Sequence, residues 1–256
     1  MAEQYTVTIE SVDYEGKGIA RIEGKTVFVY GALAGEEVLI EIVKRKPSFD
    51  KAKLVEIIQA SPKRVTPECP NYGVCGGCSM QHVSFDEQIR IKQQVLTDNL
   101  QHLGNVVAEE IMSPLAGVPW GYRHRARLSA RYVAKKGGAL VGFREKGAPY
   151  VLDMHQCLIL PPHVSALITP LRELVSAVSI RDKIPQIEVA VGTQVTILVI
   201  RNMEALNPED EQLIRQFIEQ YSSLENPLQI WLQPKGPETC YPFYPVDAPK
   251  LSYTIQ

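Results

Sequence analysis

The sequence contains no apolar run long enough to cross a bilayer. Its most compact one, Thr196-Ile197-Leu198-Val199-Ile200, has the length of a single buried strand. The first sixteen residues read as acidic and polar, without the apolar stretch of a secretory signal. These two absences predict a cytoplasmic chain with no membrane attachment. Also missing are a phosphate-cradling P-loop, a Gly-x-Ser-x-Gly elbow and a His-Glu-x-x-His pair, which excludes the commonest phosphate, acyl-transfer and zinc-hydrolase signatures. There is no internal repeat and no low-complexity tract. No charge excess is present either: the formal net charge is −2, so any basic surface has to be local. What remains is 256 residues of ordinary apolar content, 45%, enough for two domains with cores of their own.

The chain does hold a cluster of thiols. Cys69, Cys75 and Cys78 stand within ten residues, and Cys157 follows far downstream in Asp153-Met154-His155-Gln156-Cys157. Disulfides are kept reduced in the cytosol, so C-x5-C-x2-C with one distant partner points to a metal centre. Three ligands in one run with a remote fourth suit an iron–sulfur cluster, whereas structural zinc more often takes two separated pairs. His82, four residues past Cys78, keeps zinc open, and buried free cysteines that merely pack are the plain alternative. The fifth thiol, Cys240, has no base beside it in sequence and reads as structural.

Residues 5–60 read as five short strands: Tyr5 to Val12, Gly18 to Ile22, Lys25 to Tyr30, Glu37 to Lys44 and Lys51 to Gln59. That count suits a small closed barrel of the oligonucleotide-binding kind. A helix is expected to start at Ser84, capped by a Ser84/Glu87 box, to stop at Gly104, and to pack beside the cysteines. Its apolar residues are Phe85, Ile89, Leu96, Leu100 and Leu103. Then come a meander (Arg123 to Val133, Leu140 to Arg144, Tyr150 to Leu152), a helix over 163–178, a hairpin across Gly192-Thr193, a helix opened by Asn207-Pro208, and a strand from Leu228 to Gln233. The expected fold class is α+β: a barrel domain over 1–62, then a mixed, largely antiparallel domain over 63–256.

One predicted strand carries unusual charge. Side chains alternate along a strand, so Arg123, Arg125, Arg127 and Arg131 share one face, with Ala126, Leu128, Ala130 and Tyr132 on the other. Residues 121–146 hold eight Lys or Arg, Arg144 among them, against Glu145 alone. A phosphate backbone is the natural partner for guanidinium groups gathered this way, with a solvated basic face as the alternative. The barrel offers a weaker version in Lys17 and Arg21 near the Gly16-x-Gly18 turn, where turn chemistry is the rival reading.

The stretch Asp13-Tyr14-Glu15-Gly16-Lys17-Gly18-Ile19-Ala20-Arg21, with Phe28-Val29 and Ala34-Gly35-Glu36, resembles a TRAM domain. The run from Cys69 through Cys75-Gly76-Gly77-Cys78 to His82 resembles the iron–sulfur motif of bacterial RNA uracil-5-methyltransferases. Trp120-Gly121-Tyr122-Arg123-His124-Arg125-Ala126-Arg127-Leu128 and Gly142-Phe143-Arg144 are similar to that family's central domain. TRAM and cysteines together point to the branch that acts on 23S rRNA. The resemblance implies a 4Fe–4S cluster on Cys69, Cys75, Cys78 and Cys157, and a monomer that binds 23S rRNA. It also implies 5-methyluridine formation with S-adenosylmethionine in the full-length family member. Gly76 and Gly77 would supply N–H donors to the sulfurs. Members continue into a Rossmann-like methyl-transfer domain. Because this sequence ends at Gln256, the expectation is a chain without that domain, inactive alone. The rival functions are a stand-alone RNA-binding or adaptor module and an electron-transfer protein.

Overall fold

The computed structural model describes residues 3–254. The chain divides into two compact units, 1–73 with 78–117, and 74–77 with 118–256.

The first unit is built on a six-stranded sheet: β1 (Gln4–Thr8), β2 (Ser11–Val12), β3 (Lys17–Ile22), β4 (Lys25–Tyr30), β5 (Glu37–Arg45) and β6 (Phe49–Gln59). The order is β1-β5-β6-β4-β3-β2. Six strands stand where five were expected because the first breaks at Ile9–Glu10. The Ile9 N–H donates to Glu36 O on the β5 side, and the Glu10 N–H donates to Ile19 O on β3. One bent segment thus pairs with both ends of the sheet and closes it. Inside lie Ile9, Ala20, Val27, Val29, Val38, Ile40 and Ala52, the inward half of each alternation.

A single helix, α1 (Phe85–His102), follows. The expected Ser84 cap does not form; Glu87 is taken instead by Arg90, with 2.6 Å between Nη2 and Oε1. The buried stripe also differs from the expected one. Ile91 joins a small core with Leu33, Met80 and Val83, and Val95 packs against it, while Leu96 and Leu103 are 58% and 79% exposed. The core to hand selects the Glu87–Ile91–Val95 spacing, and the leucine stripe is left outside. Gly104 does end the helix, through close approach: a Cβ there would meet Leu100 O at 2.9 Å.

The second unit has β7 (Arg125–Val133), β8 (Gly138–Gly142), α2 (Pro162–Ala166), α3 (Ile168–Ala177), β9 (Gln186–Val191), β10 (Thr196–Arg201), α4 (Pro208–Tyr221), β11 (Leu228–Leu232) and β12 (Tyr241–Tyr244). The sheet order is β12-β11-β10-β9-β7-β8. β10 and β11 run parallel, joined through α4 as a parallel pair requires; the other pairs are antiparallel. The third meander strand is reduced to one bridge, Arg144 with Val151. The single helix expected over 163–178 is two, because Pro170 cannot donate to the carbonyl of Ala166 and its ring crowds it. A capping box does form at α4, where Asn207 accepts from the Asp210 N–H at 2.8 Å.

Candidate nucleic-acid interface and cysteine sites

The arginine strand has the expected alternation. Ala126, Leu128 and Ala130 are buried in the core, and Arg125, Arg127 and Arg131 are exposed. β7 begins only at Arg125, so Arg123 precedes the strand; its N–H donates to Ile159 O. Arg127 is answered by Glu188 on β9, with Nη2 3.0 Å from Oε1. Gln186 steadies that carboxylate at 2.7 Å. Among the described residues, Arg125 and Arg131 have no carboxylate partner within ion-pair distance. Arg144 joins the same face through Ser129: its Nε lies 3.3 Å from the Ser129 hydroxyl. Arg125, Arg127, Arg131 and Arg144 are therefore gathered around one carboxylate, Glu188.

The basic residues of the barrel are placed differently. Lys17 is ion-paired with Glu15, lies 3.9 Å from Asp13 and sits over the Tyr30 ring. Arg21 is 3.6 Å from Glu10 and donates to Gly24 O. A phosphate would have to displace these carboxylates.

The four cysteines divide between the two units. In the first unit Cys69 opens a turn whose carbonyl accepts from the Tyr72 N–H, and Cys78 is partly exposed. Burial pushes the Tyr72 phenol up to about 12, with the neighbouring Cys78 adding to the rise, so it stays a donor. It bonds Ser79 O at 2.7 Å and His82 Nδ1 at 2.5 Å. In the second unit Cys75 and Cys157 are buried. The Gly77 N–H points at Cys75 Sγ, 3.4 Å away. The Gly76 N–H goes instead to Arg144 O at 2.9 Å, and a Cβ on Gly76 would meet that oxygen at 3.2 Å. Among the described residues, no three His, Cys, Asp or Glu side chains are grouped so as to hold a metal ion. Burial, with Glu188 nearby, pushes the Cys240 thiol up, which disfavours its thiolate.

Sequence reasoning missed Glu188, the counter-charge of Arg127, and Trp231 on β11. The signal for Trp231 was present: Gln229, Trp231 and Gln233 alternate with Leu228, Ile230 and Leu232.

Residues 2–55 match the TRAM domain. The chain is 52% identical over 252 residues to the Chromobacterium violaceum 23S rRNA (uracil(1939)-C(5))-methyltransferase RlmD, covering 98% of this chain and 49% of that protein. It is 53% identical over 249 residues to the protein of the same name from Nitrosospira multiformis, covering 97% and 56%. Its fold matches the crystal structure of Pyrococcus abyssi tRNA (uracil-54, C5)-methyltransferase in complex with S-adenosyl-L-homocysteine. The TM-score is 0.60 at 20% identity, over 89% of this chain and 50% of that one. The expectation of a chain without a methyl-transfer domain is corrected by these matches. Nearly all of the chain follows methyltransferases in sequence and in fold, and the position of Gln256 carries no information on what the protein contains. The chain spans about half the length of the curated relatives it matches. With identity above one half held along nearly its whole length, the chain is similar to the matching half of TRAM-containing 23S rRNA (uracil-C5)-methyltransferases.

Proposed function

We propose that the protein takes part in methylating carbon 5 of a uridine in 23S rRNA, in the cytoplasm, with S-adenosylmethionine as donor. The observation that carries this reading is an exposed arginine row, only partly neutralised, on a chain 52% identical to a 23S rRNA methyltransferase. Arg125, Arg131 and Arg144, with Arg123 and Arg127, bind RNA phosphates, since arginine forks match phosphate oxygens. Lys17 and Arg21 of the barrel contribute less, because Glu15, Asp13 and Glu10 hold them. A base inside a helix cannot be reached at carbon 5 by a methyl donor, so RNA contacts of this kind hold the strand while the uridine leaves its stack. No described residue is assigned to S-adenosylmethionine, because none of the strands passes through a glycine-rich turn into a helix.

Cys69, Cys75, Cys78 and Cys157 are proposed as ligands of a 4Fe–4S cluster. The donor set suits it: soft thiolates, two of them on buried residues, one already receiving a backbone N–H from Gly77. With every iron held by a cysteine, such a cluster supplies a rigid cross-link for folding or RNA positioning and leaves no open metal site.

Deleting the gene and digesting the 23S rRNA to nucleosides tests the activity. One 5-methyluridine is expected to disappear, and an unchanged content would refute the reading. Protein purified without oxygen is expected to carry iron and acid-labile sulfide. Cys75→Ser should lose both and loosen the fold, and Cys240→Ser should keep them. Zinc in place of iron would overturn the assignment.

A further inference from the structure

The second sheet presents its two faces very differently. On one side Leu128, Ile187, Ile200 and Leu232 form a row that is fully buried. On the other, the cross-strand partners run Arg127, Glu188, Val199, Trp231 and Pro242, one residue from each of β7, β9, β10, β11 and β12. Arg127 and Trp231 therefore share a face, three strand spacings apart, about 14 Å. Arg201 lies one row away on the same face, in register with Gln186.

We propose that Trp231 is a stacking platform for an unpaired base of the bound RNA, with the strand's phosphates reaching back to the arginines of β7. The indole is held for that task. Its Nε1–H donates to Gln229 Oε1 at 2.7 Å, and the Gln229 amide donates to Pro245 O at 2.8 Å. Gln229 is only 4% exposed, so the anchor is fixed. The ring's single polar atom is thus satisfied from within, and Trp231 stays partly exposed. Stacking asks for an oriented π-face beside a cationic track, because every base has a face to offer and every nucleotide a phosphate. A folded-protein partner would gain little from a row that is cationic at one end and aromatic at the other; charge complementarity selects single-stranded RNA. The proposal rests on the reading of the protein as an RNA binder and adds to it the residue that holds a base.

The chain has two tryptophans, Trp120 and Trp231. In the Trp120→Phe protein, titration with an unmodified single-stranded 23S rRNA fragment should quench the remaining tryptophan saturably. Trp231→Leu should weaken binding roughly ten- to hundred-fold with the salt dependence unchanged, while Trp231→Phe should bind nearly as well as the parent. Quenching needs no change at Trp231, so it stays informative even if Trp231→Leu fails to fold. RNA bound at full affinity without quenching, or with Trp231→Leu unaffected, overturns the platform and leaves the RNA-binding reading standing. No binding by any form, the unaltered protein included, overturns both.

Discussion

The barrel and the arginine strand use the same residue types to opposite ends. In the barrel, several cations are consumed internally. Lys17 meets Glu15 and Asp13, Arg21 meets Glu10, Lys25 meets Asp50, and Arg64 grips Glu36. On β7, Arg125 and Arg131 point outward with no carboxylate among the described residues, and only Arg127 is answered. Counting basic residues does not distinguish these states, but the positions of the carboxylates do. Charge that is matched locally serves the fold, and charge that is left over is available to a partner.

The strongest contrast is at Glu36. Its side chain is fully buried and accepts from Arg64 at 2.5 and 2.7 Å, from the Leu33 N–H at 2.8 Å and from the Ser61 N–H at 3.3 Å. Arg64→Ala would leave a buried carboxylate unpaired, so it should lower the unfolding free energy of the barrel by about 3–5 kcal/mol. Denaturant unfolding followed by barrel signals checks this, and the contrast breaks if Arg125→Ala costs as much.

The same pair sets an acid limit. Burial alone would raise the Glu36 carboxyl, but Arg64 and the two N–H groups outweigh it and hold it below the usual range. A depressed carboxyl contributes its stability above the unfolded value, about 4.3, and loses it as pH falls through the lower folded value. Stability of the barrel should therefore decline below about pH 4, and Glu36→Gln should flatten that decline. A pH series of melting temperatures for the two proteins makes the comparison.

Removing Lys17 and Arg21 together should do least. Arg21 and Glu10 form a surface pair, worth no more than about 1 kcal/mol, Lys17 is half-buried between Glu15 and Asp13, and RNA affinity should hardly move. A large loss of RNA binding in that variant would reverse the roles assigned to the two regions.

Much of this was legible beforehand. The strand alternation of Arg125 to Arg131 and the barrel's short strands are local patterns, and local patterns survive folding. What was not legible depended on partners far away in sequence. The Ser84/Glu87 box looked complete, yet Arg90 competes for the carboxylate, while the box that formed needed Asp210, which also takes the Ser179 N–H and hydroxyl at 2.7 and 2.6 Å. The leucines of α1 have helical spacing, but the small core of Leu33, Met80 and Val83 chose Ile91 and Val95 instead. Glu188 stands sixty-one residues from Arg127, and only the β7–β9 pairing brings it alongside. Trp231 had to wait for the register of β9, β10 and β11 to be seen on the arginine face.

The central claim is that β7, and not the barrel, supplies the phosphate contacts. The measurement is the slope of log affinity against log salt for an unmodified 23S rRNA fragment. Each lost phosphate contact removes roughly 0.7–0.9 from that slope. The account predicts a drop of about 1.5 for Arg125→Ala with Arg131→Ala and almost none for Lys17→Ala with Arg21→Ala. An unchanged slope in the first variant, or an equal drop in the second, would contradict it.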